Sequence, residues 1–308
     1  MEKNNKVDFL KKYTIEYGTL NQRIDIKQKV LLSCLTGNNI FIPSGDFNRA
    51  NIFGDPVEKF LKSIFINGIE YKHYSKIFID SFNTVYQIDE VPKELELLDI
   101  SKKHSEIKNK LKIKHGSFEE EYPEQLMAVK YLTGNEKVLE IGGNIGRNTL
   151  IIASIIEPSN LVTLECDQKS YEQLNENKLL NGLNFFIENS ALSDKKLIQM
   201  GWDTIQSDTI LDGYTSVNTI TLTELKEKYP IEFDTLVLDC EGAFFYILED
   251  FPEILNGINL IIMENDYNDI KQKEYVDLVL RQNGLDIVHQ EGGGWGPCYN
   301  FFYEVWKR

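Results

Sequence analysis

The chain has four cysteines, Cys34, Cys166, Cys240 and Cys298, and they lie far apart. There is no C-x-x-C pair and no histidine at zinc-ligand spacing, so neither a disulfide framework nor a zinc site is indicated, and the thiols read as reduced. No apolar run approaches the roughly 20 residues of a membrane span. The amino terminus, MEKNNKVDFLKKY, lacks the apolar core of a signal peptide. Both absences predict a soluble, cytoplasmic chain with no membrane partner. Positive charge is scarce where a nucleic acid would need it. Residues 1–110 carry 17 Lys+Arg against 15 Asp+Glu, which leaves 16 against 33 for residues 111–308, within a net charge of −15. Affinity for phosphate backbones rests on Lys and Arg, so no nucleic-acid partner is expected of the acidic part. Repeats and low-complexity tracts are also missing. Of four histidines, His73, His104 and His115 read as solvated surface residues, and His289, near a strand end, as structural before catalytic.

What is there is enough for a packed core: 308 residues, 42% of them hydrophobic. The uneven charge predicts two units. The first, residues 1–110, reads as a small α+β accessory region that covers an acceptor or mediates self-association, so a homo-oligomer is open. Within it Asn39 to Pro43 reads as a strand and Val57 to Lys62 as a helix. Ile64 to Ile66 and Ile69 to Tyr71 flank Asn67-Gly68, a pair that accepts the positive φ of a tight hairpin. Ile77 to Ile79 and Thr84 to Ile88 extend that hairpin into one sheet. A one-sided helix over Pro92 to Lys114 links the parts.

From Tyr122 onward helices alternate with apolar strands. Strands are expected at Val138–Glu140, Leu161–Glu165, Asn184–Glu188, Thr235–Asp239 and Asn259–Glu264, joined by helices and therefore parallel. A hairpin around Asp212-Gly213 interrupts the series, and Leu285–Gln290 with Tyr299–Trp306 forms a final antiparallel pair. The predicted class is α/β.

The stretch Lys137 to Thr149, KVLEIGGNIGRNT, organises this part. It reads as strand, glycine turn and helix, the arrangement that presents free backbone N–H groups to a ligand at the carboxyl end of a sheet. Asn144 stands where a dinucleotide fingerprint has its second glycine. The spacing is instead acidic-x-Gly-x-x-x-Gly, through Glu140, Gly142, Gly143 and Gly146, as in S-adenosylmethionine-dependent methyltransferases. Glu165, closing the second strand, suits a ribose diol because two carboxylate oxygens match two adjacent hydroxyls. Ser190 and Ala191, after the third strand, fall where an adenine edge would lie. Asp239 and Glu241, after the fourth, stand at the mouth of the sheet. Two residues one apart on an extended chain point to opposite sides, so Asp239 is assigned to the cofactor and Glu241 to the acceptor or a structural partner. Glu264 closes the fifth strand at the same rim, and Trp295, in the loop EGGGWGPC, is a candidate sugar-stacking ring.

Residues 122–270 resemble the FkbM family of methyltransferases. The carrying motifs are Glu140-Ile141-Gly142-Gly143-Asn144-Ile145-Gly146 for the family's D-x-G-A-N-x-G, then Glu165, then Asp239-Cys240-Glu241-Gly242-Ala243-Phe244 for its D-x-E-G-x-E. Phe244 departs from the family's second Glu, and Cys166 from its common Pro. The resemblance implies a class I, Rossmann-like methyltransferase sheet finished by an antiparallel hairpin, over residues 111–308. It also implies S-adenosylmethionine as cofactor and O-methylation of a hydroxyl, on a sugar within a nucleotide sugar or glycan, or on another small molecule. Asp239, Glu241 and Glu264 are then the catalytic candidates. Two alternatives stay open: a Mg²⁺-assisted O-methyltransferase with Asp239, Glu264 and Asn265 as ligands, and a nucleotide-binding module without methyl transfer.

Overall fold

The structure is a computed structural model, and it describes residues 12–36, 39–79, 84–89 and 93–308. The chain divides into two compact units, Met1–Asp99 and Ile100–Arg308. The boundary lies earlier than position 110 because residues after Asp99 pack into the second unit. There His104 is buried rather than solvated, its Nε2 2.7 Å from Gln125 Oε1. No helix among the described residues is long and apolar enough to cross a membrane.

Among the described residues the first unit holds two four-stranded antiparallel sheets. One contains the hairpin of Ser63–Ile66 and Ile69–Tyr71, and Asn67 and Gly68 turn it with φ of 50° and 81°, as the Asn-Gly pair predicts. Strands Ser75–Ile79 and Val85–Asp89 do not extend that sheet. They pair with each other and with Asn39–Ile42 in the second one. Residues 57–62 form turns instead of a helix: Lys59 is left-handed at φ 67°, and buried Lys62 is drawn inward to Asp46 and Asp55 at 3.0 and 2.9 Å.

The second unit opens with α1 (Tyr122–Tyr131) and then alternates: β1 (Val138–Ile141), α2 (Arg147–Ile155), β2 (Leu161–Leu164), α3 (Gln168–Asn181), β3 (Phe186–Glu188), α4 (Leu222–Lys228), β4 (Thr235–Leu238), α5 (Ala243–Asp250), β5 (Leu260–Glu264), α6 (Ile270–Gln282), β6 (Asp286–Glu291) and β7 (Tyr303–Lys307). The sheet order is β3-β2-β1-β4-β5-β7-β6. The first five strands are parallel, and β7 runs antiparallel to both β5 and β6. This is the class I methyltransferase sheet. Strands β1, β2 and β4 are buried along their whole length, as a parallel sheet covered by helices on both faces requires.

Local chemistry sets the helix limits. Asp167 caps α3 by accepting from Ser170 N at 2.7 Å, and Gly182, at φ 62°, ends it. A Thr221–Glu224 capping box starts α4. Trp306 is fully buried, and Lys273 is held between Asp277 and Glu304, the latter at 2.9 Å, so the terminal hairpin is bound to α6 by an interior ion pair.

Residues 197–217 form a three-stranded antiparallel sheet rather than a hairpin at Asp212-Gly213. Leu197–Met200 is its central strand, between Asp203–Gln206 and Thr215–Val217. The tight turn is at Gly201-Trp202, where Gly201 takes φ 60°. Helix α5 carries no separate start signal, because its first residues are those of the Glu241-Gly242 turn.

Candidate active site

Directly after β1, Gly142 adopts φ 92°. A Cβ there would lie 1.6 Å from the Asp239 carbonyl oxygen, so β1 and β4 leave the sheet this close together only over a glycine. Gly142 N and Gly143 N both donate to Leu164 O, at 3.0 and 2.9 Å, which folds the turn over the end of β2. Gly143 and Gly146 serve packing: side chains there would strike Thr163 and Leu174. Only Gly142 of the turn glycines lines the neighbouring cavity.

Glu140 stands apart from that cavity. It is buried in mid-sheet and accepts from Thr149 Oγ1 at 2.6 Å, tying β1 to α2. Its place is structural, because side chains alternate along a strand and position 140 points into the packed layer beneath the turn. Burial pushes its carboxyl up to about 7.

The turn does reach the cavity through Glu165. Asn144, held left-handed at φ 45°, donates its N–H to Glu165 Oε2 at 2.7 Å, and Asp167 N donates to Oε1 at 2.7 Å. Two backbone donors therefore fix the plane of a carboxylate that lines the cavity, and each oxygen keeps a further lone pair for a ligand. Ser190 and Ala191 line the same cavity. Ser190 Oγ donates to Glu188 Oε1 at 2.9 Å.

Asp239 and Glu241 both line the cavity, against the alternation expected of an extended chain. The reason is local: Glu241 and Gly242 are left-handed, at φ 52° and 77°, so the chain turns back instead of continuing as a strand. Burial first, then the neighbouring Glu121, Asp266, Glu124 and Glu241, raise the Asp239 carboxyl well above the usual range. Glu264 does not line the cavity. Burial, followed by a hydrogen bond with Glu124, pushes its carboxyl up to about 12.

Asp239, Glu264 and Asp266 bring oxygens within 4.8 Å of one another, a group that could hold a metal ion. Asn265 is not part of it. Its side chain faces the other way and donates to Phe301 O at 2.7 Å, so Asp266, one residue on, takes that place. Asp266 Oδ1 accepts from Gly242 N at 2.6 Å, while Oδ2 is buried without a partner. Asp266 belongs to the acidic end of the fifth strand that the sequence marks, Glu264-Asn265-Asp266, whereas Glu121 and Glu124 escaped sequence reading because they come from the start of α1 and carry no motif.

The cavity has a volume of about 530 Å³. One wall is the rim of the sheet. The other is the inserted sheet and α5, with Gln199, Trp202, Asp203 and Tyr246 exposed to it. Trp202 lines the cavity, whereas Trp295 lies outside the lining. Among the lining residues the carboxylates are Glu165, Asp203, Asp239, Glu241 and Asp250, and the one cation, Lys195, lies 2.5 Å from Asp250. His289 is likewise outside it, 3.5 Å from Glu291 on β6.

No family model matches the sequence, and no curated protein matches it. Solved structures are similar in fold. Ribosomal protein L11 methylase from Lactobacillus delbrueckii subsp. bulgaricus is 14% identical with a TM-score of 0.41, over 64% of this chain and 81% of that one. The O-methyltransferase from Bacillus cereus, in complex with SAH, is 17% identical with a TM-score of 0.40, over 71% and 93%. Fibrillarin from Aeropyrum pernix, with natively bound S-adenosyl-L-methionine, is 10% identical with a TM-score of 0.40, over 76% and 94%. At likenesses this low, the strand order of the sheet itself defines the fold as that of class I methyltransferases.

Proposed function

We propose that this chain is an S-adenosylmethionine-dependent O-methyltransferase of FkbM type that acts on a sugar hydroxyl. The observation that carries the reading is Glu165, fixed by Asn144 N and Asp167 N at the end of β2 and lining a cavity that Asp239 also lines. The residues fit the cofactor. Glu165 has lone pairs left for a ribose diol, and Asp239 and its acidic neighbours suit a ligand end that carries an ammonium and a sulfonium. When bound, S-adenosylmethionine supplies a methyl group on positively charged sulfur.

This chain's own residues do the rest. Glu165 and Gly142 position the nucleoside, and Asp239 offsets the positive end. Trp202 and Tyr246 give the acceptor an apolar face to rest on, which serves the alignment that contributes most to such a transfer. Glu241 lines the cavity from the left-handed turn after β4 and is exposed there, so it is the group to take the hydroxyl proton as the methyl arrives. With five carboxylates against one paired lysine, the lining favours an uncharged glycan over a nucleotide sugar, whose diphosphate it would repel.

The test is incubation with labelled S-adenosylmethionine and a panel of neutral glycans and nucleotide sugars, read by mass spectrometry. Methyl transfer to a glycan hydroxyl supports the reading, and failure to bind S-adenosylhomocysteine sinks it.

A second reading has its own observation, the grouping of Asp239, Glu264 and Asp266 within 4.8 Å. An all-oxygen set suits Mg²⁺, which would assist removal of the hydroxyl proton. Loss of turnover in EDTA, restored by Mg²⁺, selects this version. For the first unit we keep an accessory role, in acceptor binding or self-association, supported by its separate fold and its different charge.

A further inference from the structure

We propose that Gln199, from the inserted sheet, reads the adenine ring of the cofactor, an inference that rests on the S-adenosylmethionine reading. Gln199 sits on the central strand, paired to Thr204 on one side and Thr215 on the other, which holds its backbone from both edges. It lines the cavity and is only 9% exposed. Its Oε1 accepts from Cys166 Sγ at 3.8 Å. Among the described residues no hydrogen bond engages its Nε2, which leaves an amide donor for an occupant of the cavity that Gln199 lines. An occupant that accepts from this N–H makes a hydrogen bond that the protein itself leaves open.

Chain order identifies the occupant's chemistry. Cys166 directly follows Glu165, and in an adenosine the base is one glycosidic bond from the ribose. A ribose held by Glu165 therefore places its base toward Cys166 and the Ser190-Ala191 wall, where the Gln199 amide lies. Two of the side-chain donors at this end are already engaged: Ser190 Oγ with Glu188, and the Cys166 thiol with Gln199 Oε1. Adenine presents ring nitrogens N1, N3 and N7 as acceptors, and a carboxamide N–H is a matching donor. The insertion between β3 and β4 is thus part of the cofactor site, and Gln199 is a positioning residue in it.

The experiment is calorimetry on the full chain with S-adenosylhomocysteine and its 1-deaza, 3-deaza and 7-deaza analogues, each lacking one ring acceptor. The native chain should bind one analogue about three- to tenfold more weakly than the parent. Gln199→Leu should weaken the parent by a similar factor and no longer distinguish that analogue. Nitrogen-15 spectra of the native chain give a second readout, in which the Gln199 side-chain amide shifts with the parent and not with the weak analogue. Equal binding of all three analogues by the native chain, or discrimination kept in Gln199→Leu, overturns the proposal while the cofactor reading stands. No binding of the parent overturns both.

Discussion

The backbone N–H of Asn144 donates to Glu165 Oε2 at 2.7 Å, so the glycine turn after β1 sets the orientation of the carboxylate that closes β2. The first prediction follows from this. Glu165→Ala should weaken S-adenosylhomocysteine binding by on the order of 1–3 kcal/mol, the worth of a charged hydrogen-bonding partner. Glu165→Gln should lose nearly as much, because its NH2 must face one of two backbone donors. Calorimetry on folded protein decides, and native affinity in either variant removes Glu165 from the site.

Gly142 is predicted to be irreplaceable for the fold itself. Gly142→Ala places a Cβ 1.6 Å from backbone oxygen at φ 92°, and it should cost about 4 kcal/mol or more, or leave the chain insoluble. The control is Gly182→Ala, at φ 62° with nothing within 4 Å of its Cβ, which should cost about 1–2 kcal/mol. Urea midpoints compare the two.

Stability should fall as pH rises through neutrality. The Glu140 carboxyl is at about 7 in the folded chain because of burial, while an unfolded glutamate titrates near its ordinary value of about 4.3. The folded state therefore holds this proton more tightly. The contribution is complete below about pH 4 and is lost as pH climbs through about 7, on the order of 3 kcal/mol in all. Glu140→Gln keeps the bond from Thr149 and has no proton to lose, so its stability should vary less between about pH 5 and about pH 8. Parallel slopes for the two proteins would disprove the assignment.

The two reaction variants separate at the rim. Glu241→Gln should lower turnover by about a hundredfold or more, the usual worth of a general base, and leave S-adenosylhomocysteine affinity unchanged. Without a metal, Glu264→Gln should stay within about threefold of native turnover, since a carboxyl at about 12 is already protonated and resembles an amide. Under Mg²⁺ assistance the same variant should lose turnover and metal response together. Kinetics with and without EDTA tell these apart.

The second unit should fold and bind cofactor alone. A chain beginning at Lys93 keeps the helix Lys93–Lys108 whole, and with it the buried His104–Gln125 contact. It should retain S-adenosylhomocysteine affinity and lose acceptor turnover or self-association. Native behaviour in both of the latter would end the accessory role.

The sequence by itself determined the βαβ series, the Asn67-Gly68 hairpin and the positions of Gly142, Glu165 and Asp239. Each is a local signal: periodicity, turn chemistry, or an acid that ends an apolar run. It did not determine the direction of side chains where the chain leaves regular geometry. Glu241 came to the cavity through a left-handed turn, and Asp266 rather than Asn265 joined Asp239 and Glu264. Nor did spacing mark Gln199, Trp202 or Tyr246, which reach the site from an insertion and a helix far along the chain. Those placements depend on how separate elements pack over the sheet rim, an energy summed over contacts distant in sequence. Only the tertiary structure decided them.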